Sequence, residues 1–585
     1  MTERANPAGE KPAFVSGPAD MEGPSDSLFC CKWLRHRVPL AHREELYHIL
    51  RMTVPLVRLD SVYISSFASA VSGHLHTINV TTAATGYGLA LACDTLVSQT
   101  FGGKNLLRVG VILQRGIIIL LLFCLPCWGL LLNAQAILLC LGQNPEVARI
   151  AQLYITAFLP AVPAMFLQHL QVSYLQNQGI ILPQMYSAAV ANIANVVTNY
   201  IFLYWLDLGV GGSAAANTLS QIYICTFLFS YIWWKKLHVK TWGGWSAESL
   251  QEWGSYMKLA FPSTLMKCFE WWVYELGGFF AGMLSEDELA AQHAVIMVAF
   301  ITYMFPLGIQ AAACARVGNA LGAGDTGRAI LTCKMSFALA VIEGLLLGST
   351  KSVIGFIFTS DEKITGLVSY LMNAYCFLQF FDAFMCVCSG IFLGTGKQKI
   401  PAVGNFIGFY CIGLPLSVTL TFVTKLRILG FWLGLLVGLI LLCSFYITII
   451  SRLNWEEITQ EALKRAQKKP PMTLLSTAAM SDAQVFFFFH PLTLTSWCLN
   501  KMKSWTMPVP LSPQSCDQVV RLKGGHLSTG QLILRRGLTA FAAVGLLAVG
   551  AAVHFLVPQP QTNFTLDWNN TTHTHQILST AQVPN

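Results

Sequence analysis

Charge is what this chain has least of. Only 11% of its 585 residues are Asp, Glu, Lys or Arg, against roughly a quarter in an ordinary soluble domain. A soluble chain of this length divides into several domains, each needing a charged coat. Here the charge is too scarce, and it avoids the middle: of 37 basic and 29 acidic residues, 36 fall in the 401 positions from 52 to 452. A soluble enzyme, a nucleic-acid binder and a disordered scaffold are excluded together. The net charge of +8 does not revive nucleic acid as a partner, because the basic residues stand in short clusters between apolar runs.

Further absences narrow the class. The first 27 residues are polar, rich in Pro, Gly, Asp and Glu, and hold no apolar signal segment; a cytosolic N-terminus is expected. The 17 cysteines make no secreted framework, since Cys93, Cys225, Cys314, Cys411 and Cys443 lie in apolar runs where a thiol acts as a small hydrophobe. Cys124 and Cys127 form C-x-x-C inside LLLFCLPCWGLLL and read as packing, while Cys30 and Cys31 suit acylation near a membrane surface. There is no H-E-x-x-H. The stretch Gly394-Thr395-Gly396-Lys397 lacks the upstream glycine of a P-loop, with Ile391 in its place, and is followed by Gln398. No nucleotide, cofactor or metal is expected.

What is present is apolar length. A helix crossing about 30 Å of hydrocarbon needs roughly 20 apolar residues, and thirteen such stretches follow one another. They organise the chain into a cytosolic segment (1–51), a first lobe of six spans (52–234), a cytosolic linker (235–255) and a second lobe of six spans (256–452). A largely irregular cytosolic linker (453–536), a thirteenth span (537–557) and an extracellular tail (558–585) complete it. Basic residues favour the even connections (Lys104 and Arg108; Lys235, Lys236 and Lys240; Arg316 and Arg328; Lys397 and Lys399), as the positive-inside rule requires. An odd span count puts the tail outside, where Asn563, Asn569 and Asn570 stand in glycosylation sequons.

The two lobes repeat. Gly88, Gln99, Gly102 and Arg108 recur as Gly308, Asn319, Gly322 and Arg328, 220 positions on, and Leu175 and Pro183 recur as Leu393 and Pro401, 218 on. An even number of spans gives both halves one orientation, hence a pseudo-two-fold axis along the membrane normal and a cavity between lobes. The same comparison shows a deficit: Pro262 to Gly308 is 46 residues, Pro55 to Gly88 only 33, so the first lobe is short by 13 around GHLHTINV. Its first span also carries Arg58 and Asp60, each costing on the order of 2.5–3.5 kcal/mol at a helix centre. The segment VFFFFHPLTLTSW (485–497), broken by Pro491, is too short to span and suits an interface.

Carboxylates inside spans are expensive and therefore functional candidates. The sharpest cluster is Lys267-Cys268-Phe269-Glu270-Trp271-Trp272-Val273-Tyr274-Glu275. Glu270 and Tyr274 share a face, as do Trp271 and Glu275, and the two acids stand about 140° apart. Anionic groups beside aromatic faces are what a flat organic cation needs; against that, Lys267 simply neutralises Glu270. Asp382, in FLQFFDAFMCVC, is next, and Glu343 and Asp94 are weaker candidates.

In GYGLALACDTLVSQTFGGKN (86–105), KKLHVKTWGGW (235–245), KCFEWWVYELGGF (267–279), RVGNALGAGDTGRA (316–329) and GTGKQK (394–399), the chain resembles the multidrug and toxin extrusion (MATE) transporters of the vertebrate organic-cation/proton antiporter type. The resemblance covers about 40–455 and implies an all-α polytopic membrane protein of two six-helix lobes plus a thirteenth helix. It implies proton-coupled export of small organic cations across the plasma membrane by a monomer. It assigns proton coupling and substrate binding to Glu270 and Glu275, and substrate contacts to Trp271, Tyr274, Tyr303 and Asn79. Two positions depart: Met297 stands where the family has an eighth-span glutamate, and Asp382 and Gln379 stand for a tenth-span glutamate and histidine. The competing readings are a lipid-linked oligosaccharide flippase, which would want a larger basic cavity, and a non-transporting product, favoured by the deficit and Met297.

Overall fold

The computed structural model describes residues 39–68, 73–140, 145–354, 362–467 and 528–556, and the regular structure there is helical. The first half holds α1 (Leu40–Ala68), α2 (Gly73–Gly102), α3 (Leu106–Leu132), the short α4 (Ala134–Cys140), α5 (Pro145–Phe158), α6 (Ala161–Gln176), α7 (Leu182–Tyr200) and α8 (Gly209–Trp234). The second holds α9 (Trp253–Leu284), α10 (Glu286–Gly322), α11 (Thr326–Ile354), α12 (Glu362–Thr395), α13 (Lys399–Val423) and α14 (Ile428–Arg452). Then come α15 (Trp455–Ala466) and α16 (Thr529–Leu556). Among the described residues, seven helices are long and apolar enough to cross a membrane, or eight if α5 and α6 count as one span, against the thirteen stretches expected from the sequence. That pair bends by 58° at the break, where Pro160 has no N–H to continue the ladder.

The repeat read from a few side chains is written throughout the backbone. Residues with left-handed φ pair off between the halves: Lys104 (58°) with Gly324 (83°), Gly179 (76°) with Gly396 (78°), Asp207 (47°) with Lys425 (59°), Gly209 (54°) with Arg427 (56°). π-helical turns also coincide, at Ile201–Trp205 and Thr419–Val423. In each half a long helix therefore ends on one αL residue, because a reversal there needs a conformation that L side chains resist.

Packing divides the molecule less simply than the chain does. One apolar core runs from Leu89 to Leu228 and takes in Trp253, Tyr256 and Ala260 from the start of α9. The other runs from Val273 to Ala462 and takes in Ile49 and Met52 from α1. The first helix of each half thus leans on the other half: α1 packs against α10 and α11, α9 against α2. A Cβ on Gly88 would fall 2.4 Å from Thr264 Cα, so α2 and α9 touch backbone to backbone.

Where the Gly-rich turns meet, the halves interlock reciprocally. A Cβ on Gly102 would sit 2.1 Å from the Asn319 carbonyl oxygen, and one on Gly322 would sit 1.9 Å from that of Gln99. Gln99 donates to the Gly394 carbonyl at 2.9 Å, Thr95 to that of Leu393 at 2.8 Å, and Asn319 to that of Asn177 at 3.2 Å. The pseudo-two-fold relation also holds for ion pairs: Glu252 meets Arg108 at 3.2 Å, and Glu45 meets Arg328 at 3.5 Å.

The segment after α14, read from sequence as largely irregular, begins with an amphipathic helix. Asn454 caps α15, accepting from the Glu457 N–H at 3.3 Å, and acids in its first turn and bases in its last suit the helix dipole. It straps the seam from below: Arg465 donates to Gln99 at 3.1 Å, Asn105 to the Ala466 carbonyl at 3.2 Å, and Lys397 to Glu461 at 3.0 Å. α16 lies on α3, with Gly550 against Gly129 and Asn133 donating to the Gly550 carbonyl at 2.8 Å. The segment 485–497 and the sequons at Asn563, Asn569 and Asn570 lie outside the described residues.

Candidate carboxylate site in the second half

Glu270 lies mid-way along α9, 2% exposed, and Lys267 one turn earlier is wholly buried. Three residues of helix put them on one face, and Lys267 Nζ reaches both carboxylate oxygens at 2.9 Å. From α10, Tyr303 Oη donates to Glu270 Oε1 at 2.5 Å and accepts from Lys267 at 3.3 Å. Asp382 on α12 is buried too, and its charged neighbours are Glu270 and Lys267. Glu343 on α11 faces Asp382 and Gln379. The three carboxylates, from three separate helices, therefore follow one another as electrostatic neighbours, Glu270 beside Asp382 and Asp382 beside Glu343, and among them only Glu270 is bonded to Lys267.

A neutral chain of hydrogen bonds backs it. Tyr375 donates to Gln379 Oε1 at 2.8 Å and bonds to Thr302. Trp432 donates to Gln292 at 2.8 Å, and its ring lies 5.8 Å from Tyr375 and 6.3 Å from Tyr274. On the side of the first half, Trp271 stacks on Tyr87 at 6.0 Å with planes 10° apart, and His169 meets Tyr87 edge-on at 5.3 Å. Glu275 is half-buried one turn beyond Trp271, and Met297 is half-buried on α10. Asn79 belongs to α2, outside the residues whose side chains are described.

Asp94 stands apart from this cluster. It is buried on α2 and accepts from Asn177 at 2.6 Å, close to the interlocked turns. Sequence reading missed Tyr375, Trp432, Tyr87, His169 and Gln292, because aromatics and a lone amide at helical spacing look the same whether they pack or line a site.

The MatE family model matches residues 61–201 and 262–419, just over half of the chain and both halves of the repeat. This chain belongs to the MatE family. Among curated relatives of this MatE chain, multidrug and toxin extrusion protein 1 of Danio rerio is 44% identical over 90% of this chain and 92% of its own length. The protein of that name from Homo sapiens is 42% identical over 92% and 98%. The crystal structure of a eukaryotic MATE transporter, AtDTX14, superposes with a TM-score of 0.68 at 26% identity, covering 73% of this chain and all of that one. The all-helical membrane fold and the transporter family foreseen from the motifs are thereby established for this MatE member.

Proposed function

We propose that this protein exports small organic cations in exchange for protons, the two halves rocking about the interlocked seam. The observation that carries this reading is the pair of buried carboxylates Glu270 and Asp382 from separate helices, Glu270 held by Lys267 and Tyr303, with Trp271, Tyr274 and Glu275 on the same helix as Glu270. Ionised carboxylates among aromatic faces attract a cation by charge and by ring quadrupole; protonated, they release it. Exchange follows when proton and cargo need the same negative group. Alternating access needs a seam that is closed on one side at a time, and the bonded end here is the one whose loops carry the basic residues, read as cytosolic. The resemblance supports a plasma-membrane, monomeric carrier with a cytosolic N-terminus and a tail outside.

The test is uptake of radiolabelled tetraethylammonium into proteoliposomes under an imposed pH jump. Wild type should accumulate the amine, and Glu275→Gln should reduce pH-driven uptake at least tenfold with insertion unchanged. Undiminished exchange in that variant would remove Glu275 from the mechanism. Absence of uptake in wild type would overturn the proposal.

A further inference from the structure

The ammonium of Lys267 sits where cargo would be expected. Around it stand both oxygens of Glu270 at 2.9 Å, the Tyr303 hydroxyl at 3.3 Å, and the ring of Tyr87 5.9 Å away. Carboxylate, phenol and aromatic face are the elements of a receptor for a monovalent organic cation, and all are engaged by a side chain of the protein itself. A lysine charge is compact and rides on four flexible methylenes, so it can leave Glu270 without unwinding α9.

Building on the antiport reading, we propose that Lys267 is a specificity-determining tethered cation: it holds Glu270 while the carrier is empty, and a small organic monocation reaches that carboxylate only by displacing it. Two consequences follow. Binding in the native protein rests mainly on Glu275 and Asp382, and Glu270 adds its charge only to a cation that moves the lysine aside. Removing the lysine leaves an uncompensated buried carboxylate, which strongly favours any cation able to take its place. Lys267 thus weakens the grip on small monocations, a device of exclusion as much as attraction.

The experiment measures tetraethylammonium binding to the purified full-length protein by tryptophan fluorescence, and the KM and maximal rate of its uptake in proteoliposomes. Lys267→Met should lower Kd and KM about tenfold, Lys267→Arg should keep both near wild type, and adding Glu270→Gln to Lys267→Met should return them to within about twofold of wild type. A purely structural lysine would alter yield and rate but leave KM in place. Unchanged Kd in folded Lys267→Met, or a gain that survives Glu270→Gln, overturns the inference. Should Lys267→Met not fold, the double variant alone decides: Kd within about twofold of wild type supports the tether, whereas weakening of tenfold or more shows that Glu270 already holds the amine. The two proposals fail differently. Proton-driven uptake with Lys267→Met indistinguishable from wild type sinks only the tether; tight binding gained by Lys267→Met without uptake in any protein sinks only the antiporter; neither binding nor uptake anywhere sinks both.

Discussion

Two acidic clasps, one on the first helix of each half, fasten the halves together with unequal force. Glu45 on α1 is 3% exposed and bonds to Arg316, Arg328 and Thr332. Glu252 at the start of α9 is 33% exposed, paired with Arg108 at 3.2 Å and Arg115 at 4.0 Å. Both follow from one repeated pattern, since Glu45 and Glu252 each stand ten residues before a proline, Pro55 and Pro262, and Arg108 and Arg328 are repeat partners. Topology was kept in both halves while solvation was not. A buried, multiply bonded carboxylate is costly to unpair, whereas a half-buried one keeps part of its hydration and contributes less. The α9 clasp is the one that opens at low cost.

Prising apart the seam tests both clasps at once and carries the largest expected effect. Gly322→Ala and Gly102→Ala each drive a methyl into a facing backbone carbonyl, costing about 1–3 kcal/mol or more, while Gly278→Ala, with open space around it, should leave thermal unfolding in detergent unharmed. Equal losses at Gly322 and Gly102 sharpen the two-fold picture; a loss at only one breaks it. Next comes Glu45→Gln, which should cost about 1–3 kcal/mol. Burial raises the Glu45 pKa, but the bonds and charges of Arg316, Thr332 and Arg328 outweigh it and hold the group below its ordinary 4.5. A depressed carboxylate stabilises the fold above its unfolded pKa and ceases to do so as pH falls through the folded one. The gap in melting temperature between wild type and Glu45→Gln should therefore be constant from pH 5 upward and shrink progressively below about 4.5; a gap undiminished at pH 3 contradicts the assignment. Smallest is Glu252→Gln, at about 0–1 kcal/mol by the same melting assay. A cost equal to that of Glu45→Gln would erase the asymmetry.

Much of this was legible in the residues. Apolar length announced the helical membrane body, though seven or eight of the described helices rather than thirteen carry a span's length and apolarity, and four repeated residues announced a symmetry that the paired φ angles and π turns carry much further. Lys267 and Glu270 could be paired from helical spacing alone. Their union with Asp382 and Glu343 could not, since side chains from different helices meet only through tertiary packing. The lean of α1 on α10 was equally hidden: an apolar stripe says that a helix is buried but not against which neighbour. The helix α15 escaped notice because its twelve residues, charged and flanked by polar linker, carry no span-like signal.

The lean of α1 across the molecule has a consequence for biosynthesis. Glu45 and Arg316 are 271 positions apart, and at about 5–20 residues per second the ribosome needs roughly 15–50 s to deliver the second after the first. For much of that interval the opening helix has α7 of its own half to pack against, but not yet α10 or α11. The first half is thus complete in sequence well before the contacts of α1 with α10 and α11 can form, and its opening helix is finished only when the tenth emerges.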